Sequence, residues 1–305
     1  MGKENNIAYL YMCHNNPDQL RRLAKILEYN KDMIFVHVDK KVDKKPFLEA
    51  TKNCSNVHFV EDRIKNYWGG FNSVIATVKL MKSALDFGDF SRFVFLQGAD
   101  YPLFSPKEIH LALDNSNVEY CKAKDITNTK HKGHYMIWGG YWCMDCNKNN
   151  FFIKCFRFIL SRINKLGIKY RPGIFNYNGE KWHIFKGGAP FSITGECAKH
   201  IVNIYDGNKK FNKFMKHKWA PDELYFHTII HNSYFKDNVS KNVIKRRDGS
   251  ETLLSITYFE YPKEAVIFTK AEDYYWLKNT GCLFVRKVNE TSKELLDEID
   301  KNIKA

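Results

Sequence analysis

Residues 92–108, RFVFLQGADYPLFSPKE, decide the fold class. RFVFLQ is a short apolar run rich in β-branched and aromatic residues, the composition of a buried strand. Gly98 and Pro102 mark a loop after it, and Ser105, Pro106 and Glu108 spell a helix start. The serine caps, the proline takes the first turn and the glutamate reaches back to the cap. Upstream, NIAYLYMCH (6–14), DMIFVHVDK (32–40) and NVHFVED (56–62) repeat the strand signature. Between them, Leu20, Leu23, Ala24 and Leu27 share one helical face, as do Val74, Ile75, Val78, Met81 and Leu85. Strands alternating with helices over about 110 residues predict an α/β fold with a Rossmann-like, mainly parallel sheet and right-handed crossovers. Ligands of such sheets bind beyond the carboxyl ends of the strands, which puts His37–Lys40 and Gln97–Pro102 where a nucleotide would sit.

Beyond this half the character changes. Residues 126–190 are dense in Lys, Asn, Gly and aromatics, with one helix predicted over Phe151–Leu166, and read as a substrate-facing insertion. APFSIT (189–194) predicts a strand, a helix follows Thr194, and another opens at Ala220-Pro221-Asp222-Glu223. AVIFT (265–269) predicts a strand, DYYWL (273–277) a short helix, CLFVRKV (282–288) a strand, and a polar helix ends the chain. No repeat, low-complexity tract or linker interrupts it, so one domain is expected over 1–305.

Composition narrows the function classes. With 305 residues, 44% of them hydrophobic and 15% aromatic, the chain can bury a large core, which argues against disorder. No apolar run follows a basic start, and none approaches the roughly 20 residues of a membrane span, so a cytoplasmic protein is expected. Lys and Arg number 48 against 34 Asp and Glu, a net charge of +14 that favours anionic partners: nucleic acid, a sugar nucleotide or an acidic membrane surface. The bases are scattered as KK and RR pairs rather than gathered in one arm, which argues against nucleic acid. Eight cysteines without a dense framework read as reduced thiols, and Cys143-x-x-Cys146 lacks a second pair at zinc-finger spacing.

Six motifs stand in fixed order: HVDKK (37–41), YWGG with Ser73 (67–73), LQGADYPL (96–103), KGGAPFSIT (186–194), APDELYFHT (220–228) and LFVRK (283–287). Each is weak alone. Together, over roughly residues 7–288, they resemble the core-2/I-branching β-1,6-N-acetylglucosaminyltransferase and peptide O-xylosyltransferase family (glycosyltransferase family 14), as a soluble bacterial member. The resemblance implies a glycosyltransferase-A fold, with a nucleotide-binding half (1–125) and an acceptor-binding and catalytic half (126–305). It also implies inverting transfer of a sugar, N-acetylglucosamine before xylose, from a UDP-sugar to a glycan hydroxyl.

Inversion by direct displacement needs one base, and Glu223 of the Pro-Asp-Glu motif matches the family's. Its bland alternative is an acid that merely offsets a helix dipole. No Asp-x-Asp pair occurs in the chain, so no metal cofactor is expected, and cationic side chains must offset the charge on the departing diphosphate. The resemblance points to Lys263 and Lys287 for this, with Arg286 as an alternative to Lys287. It assigns donor contacts to His37, Val38, Asp39, Trp68, Gly69 and Asp100, although Asp39 and Asp100 also suit turn formation and His37 a satisfied strand position. Trp138, Trp142 and Trp182 offer flat faces to an acceptor sugar, with Asp222 beside them in the site, although core packing is the commoner role for any one tryptophan.

The expected partners are therefore a UDP-sugar and a glycan or lipid-linked saccharide acceptor, with peripheral association at the anionic inner membrane face and a role in surface polysaccharide synthesis. A basic nucleic-acid-binding protein and a non-catalytic glycan-binding protein are the competing readings.

Overall fold

The computed structural model describes residues 5–114, 117–127, 140–147, 149–166, 174–253, 256–261 and 263–304. Its strands are β1 (Ile7–Cys13), β2 (Met33–Val38), β3 (Val57–Phe59), β4 (Arg92–Gln97), β5 (Asp100–Pro102), β6 (Ala123–Asp125), β7 (Ile174–Tyr177), β8 (Glu180–His183), β9 (Phe185–Gly187), β10 (Ser192–Thr194), β11 (Ile244–Lys245), β12 (Glu251–Thr252), β13 (Thr257–Phe259) and β14 (Phe284–Arg286). Its α-helices are α1 (Pro17–Ile26), α2 (Lys45–Ala50), α3 (Asn72–Phe87), α4 (Pro106–Leu113), α5 (Phe151–Lys165), α6 (Gly195–Gly207), α7 (Lys209–Lys216), α8 (Tyr225–His231), α9 (Asp273–Lys278) and α10 (Lys293–Lys304).

The central sheet has the order β10-β4-β1-β2-β3, parallel except for β10, which runs against β4. Both faces of β1 are buried, as a parallel sheet between helices requires. Tyr9 and Tyr11 join the core under α1, α4 and α10, while Ala8 and Leu10 join the core under α3, α6 and α8. This mainly parallel sheet between helical layers is the architecture expected of a glycosyltransferase-A-like fold. The Ser105–Glu108 capping box is present, and Thr194 caps α6. Among the described residues no helix is long and apolar enough to cross a membrane. All eight cysteines, Cys143 and Cys146 included, are free thiols.

Three elements depart from the sequence reading. The 98–102 stretch is a turn followed by β5, which leaves the central sheet and pairs antiparallel with β14 in a three-stranded sheet, β13-β14-β5. AVIFT is not a strand: its backbone groups are divided among separate partners, Val266 N donating to Glu260 O (3.0 Å), Lys287 N to Val266 O (3.3 Å), Phe268 N to Lys287 O (3.0 Å) and Leu295 N to Thr269 O (3.1 Å). The helix expected at 220 is delayed. Ala220 is left-handed (φ 45), Pro221–Glu223 form a 3-10 turn, and α8 starts only at Tyr225.

Candidate active site

The carboxyl ends of the parallel strands are tied together by backbone. Asp39 N donates to Cys13 O (2.8 Å) and Gly98 N to Met12 O (2.9 Å). Asp39 is buried and its carboxylate folds the following turn: Oδ1 accepts from Lys41 N (2.9 Å) and Asn66 N (3.4 Å), and Lys41 Nζ stands 3.3 Å from Oδ2. His37 is fully buried, and its Nε2 accepts from Ile64 N (3.1 Å). Burial pushes this imidazole down to about 4, keeping it neutral and able to accept. Val38 lies in the core. His37 and Asp39 therefore fasten the 61–66 segment to the strand ends.

Asp100 is completely buried and forked by Arg286, with Nε 2.5 Å from Oδ1 and Nη2 2.7 Å from Oδ2. Arg286 Nη1 also donates to Gln97 Oε1 (2.5 Å), and Asp100 Oδ2 accepts from Gln97 N (2.8 Å). The pairing of β14 with β5 sets Arg286 directly opposite Asp100. A guanidinium matches a carboxylate bidentately, so this pair fixes how the late LFVRK motif meets the end of β4. Arg286 is thus committed to Asp100. Lys287 follows it, partly exposed, and Lys263 is exposed on the segment that brackets Lys287 through Val266 and Phe268.

The acids of the Pro-Asp-Glu turn lie nearby. Lys186 Nζ, at the middle of β9, stands 2.6 Å from Glu223 Oε2. Asp222 is partly exposed as a residue, but its carboxyl is shielded. Burial first, then the Glu223 carboxylate, pushes it up to about 7, while Lys186 and Arg286 pull it the other way. Asp222 therefore feels both the Lys186–Glu223 pair and the Arg286–Asp100 pair. Beneath β9, a Cβ on Gly187 would lie 2.4 Å from the His227 ring and 2.7 Å from Lys122 O, so only glycine lets this strand pack on α8.

An aromatic edge adjoins the turn. Ala220 N donates to Gly69 O (3.3 Å), and Gly69 takes a positive φ of 76. Trp68 is 70% exposed and meets Trp219 edge-on at 5.4 Å, while Trp142 meets the same ring at 5.0 Å. Asp145 holds this edge in place: its carboxylate accepts from Phe71 N (3.0 Å) and Asn72 N (2.9 Å) at the start of α3. A Cβ on Gly70 would fall 2.1 Å from Asp145 Oδ1.

The expected acceptor tryptophans fare differently. Trp182 is a correction: it is 4% exposed, packed against Tyr177 and Phe211, and its faces are taken by protein. Trp138 lies outside the described residues. Lys186, Trp219 and Asp145 were not singled out from sequence, although Lys186 opens the quoted KGGAPFSIT motif. Its pairing across 37 residues with Glu223 leaves no local signal.

Among the described residues, Cys121, His227 and His231 form the group whose donor atoms could converge on a metal, all within 4.8 Å of one another. His227 Nδ1 faces Cys121 O (3.1 Å) and Nε2 faces Gly188 O (2.8 Å), while burial pushes the ring down to about 4. This group belongs to the packing behind β9 and does not include Asp222 or Glu223.

Residues 7–255 match the Core-2/I-Branching enzyme family. Over 247 residues the chain is 23% identical to human Xylosyltransferase 2 and 22% to human Xylosyltransferase 1, in each case across 78% of this chain and 26% and 23% of the relative. Mouse Xylosyltransferase 2 is 23% identical over 235 residues, 74% of this chain and 24% of the relative. The chain thus spans about a quarter of the length of these curated relatives. The family match covers the β1–β4 sheet, Asp100 and the Pro-Asp-Glu turn in one continuous stretch, and the chain belongs to the Core-2/I-Branching enzyme family.

Proposed function

We propose that this chain is an inverting, metal-independent glycosyltransferase. It moves a sugar, N-acetylglucosamine before xylose, from a UDP-sugar to a hydroxyl of a glycan in surface polysaccharide synthesis. The observation that carries the reading is Glu223, half-open to solvent beside the strand ends, with Lys186 on one carboxylate oxygen. The acceptor oxygen attacks the anomeric carbon, its proton passes to the other Glu223 oxygen, and the bond from that carbon to the diphosphate oxygen breaks, releasing UDP. Holding both reactants in line can supply a large share of such a rate gain, and the Pro221–Glu223 turn, with φ fixed at its proline, suits that task.

Charge on the leaving diphosphate is offset in this proposal by Lys287 and Lys263. Arg286 contributes by locking Asp100 and the strand end rather than as a substitute for Lys287. Trp68, Gly69 and the backbone of 37–39 border the donor, and Asp222 with Trp142 borders the acceptor. A lipid-linked acceptor at the anionic inner membrane face suits the +14 net charge. Turnover of a panel of UDP-sugars in excess EDTA tests the reaction class. Release of UDP from one donor is expected, and loss of activity restored by manganese would refute the metal-free mechanism.

A further inference from the structure

Helix α5 has an inner, packed face and an outer, apolar one. The inner one is used: Leu160 and Asn164 are buried, and Asn164 clamps Tyr141 through Nδ2 to Tyr141 O and Tyr141 N to Oδ1, both 2.9 Å. The outer one is exposed. Phe152, Phe156 and Ile159 follow at helical spacing and are 80%, 46% and 55% exposed, with Leu166 just past the helix end at 73%. Cys155, the one exposed cysteine of the chain, lies in the same stripe. A soluble helix normally hides such a stripe and shows its polar side.

The charges on α5 indicate what covers the stripe. Residues 151–166 contain no Asp or Glu; Arg162 lies beside the stripe, and Lys154, Phe158 and Lys165 lie further round the exposed side of the helix. Arg162 sits over the Phe158 ring, 4.8 Å from its centroid. A second copy of this chain would set these bases against their own like, whereas an anionic lipid surface meets them with opposite charge and receives the aromatic stripe.

We infer that α5 is a membrane-docking helix, which lays its Phe152–Phe156–Ile159 stripe into an anionic bilayer with its lysines and arginines at the headgroups. This deepens the lipid-linked acceptor reading and rests on it only for the purpose of docking. The helix also connects physically to the candidate site. The segment clamped by Asn164 continues to Trp142, which meets Trp219, and to Asp145, which caps α3 next to Trp68 and Gly69. Docking through α5 would bring that aromatic edge near the surface where a lipid-borne glycan emerges.

The test is flotation of the full chain with phosphatidylcholine vesicles, with and without phosphatidylglycerol, at low salt. Phosphatidylglycerol should raise bound protein by about tenfold or more, and Phe152→Asp with Ile159→Asp should abolish the gain. Lys154→Glu with Arg162→Glu should remove its salt-sensitive part. These sites are exposed and outside the candidate active site, so melting temperature and UDP-sugar hydrolysis in solution should not change. An environment-sensitive dye on Cys155 should shift to the blue only with anionic vesicles. Equal flotation of wild type and the Asp variant, or an unshifted dye, would overturn the inference. So would a wild-type dimer that the Asp variant splits without vesicles. Docking without any UDP-sugar turnover would overturn the catalytic proposal and leave docking intact.

Discussion

Lys186 Nζ stands 2.6 Å from Oε2 of Glu223, joining the glycine-rich strand β9 to the Pro-Asp-Glu turn through a single ion pair. The pair is partly exposed, so its worth is modest, yet it fixes which carboxylate oxygen remains to meet an acceptor. Lys186→Met should lower kcat about fivefold, the effect of losing such a pair. Combined with Glu223→Gln it should cost no more than Glu223→Gln alone, because both changes act through one carboxylate. Steady-state UDP release across the four proteins measures this, and full additivity would mean that Lys186 acts elsewhere.

Asp222 gives a pH signature. Its carboxyl is raised from the usual 3.8 to about 7, chiefly by burial and then by Glu223. Between those values the folded state holds a proton that the unfolded chain has lost, so this residue's stabilising contribution is full below 3.8 and is lost as pH rises through 7. Asp222→Asn keeps the neutral shape at every pH. The variant should therefore gain in melting temperature over wild type between about pH 5 and about pH 8. A constant difference across that range would place the ionisation outside it.

The Arg286–Asp100 fork is buried, and removing one partner strands a charge. Arg286→Met should cost about 3–5 kcal/mol in urea unfolding, and Arg286→Lys less, since one ammonium cannot fork. Arg286→Met with Asp100→Leu should recover part of the loss, because the uncompensated carboxylate is gone. A double variant no more stable than Arg286→Met alone would argue against pairing as the cause.

Gly70 lies against the Asp145 carboxylate that caps α3. Gly70→Ala would push that carboxylate aside and should cost about 1–2 kcal/mol of stability through the lost cap. Because Trp68 and Gly69 share the loop, KM for the UDP-sugar should rise more than kcat falls. Denaturant unfolding and steady-state kinetics on the same sample separate the two effects.

Much of the frame was legible because local signals agreed. The strands β1, β2 and β4 are continuous apolar runs, the Ser105–Glu108 box capped its helix, and the 3.6 period marked α1 and α3. Two of the misses come from long-range pairing. β5 is only three residues and becomes a strand because β14 arrives from 186 residues away. AVIFT has strand composition but divides its backbone groups among Glu260, Lys287 and Leu295, whereas at Ala220 a local cause, its left-handed backbone, turned a helix start into a 3-10 turn. In the candidate site, Asp222, Glu223 and Asp100 could be named from motif order. Lys186 and Trp219 could not, since what selects them is the residue across the turn or loop. Trp182 was misjudged because aromatic composition does not distinguish a sugar platform from a core side chain.

Whether Glu223 takes the acceptor proton is read most plainly in single-turnover transfer from the UDP-sugar that wild type uses, with EDTA present, comparing wild type with Glu223→Gln. A base role for Glu223 entails a fall in the chemical step of about 10²–10⁴-fold, with UDP-sugar affinity within a few-fold of wild type. A variant that transfers at close to the wild-type rate would contradict it and return Glu223 to an acid that only pairs with Lys186.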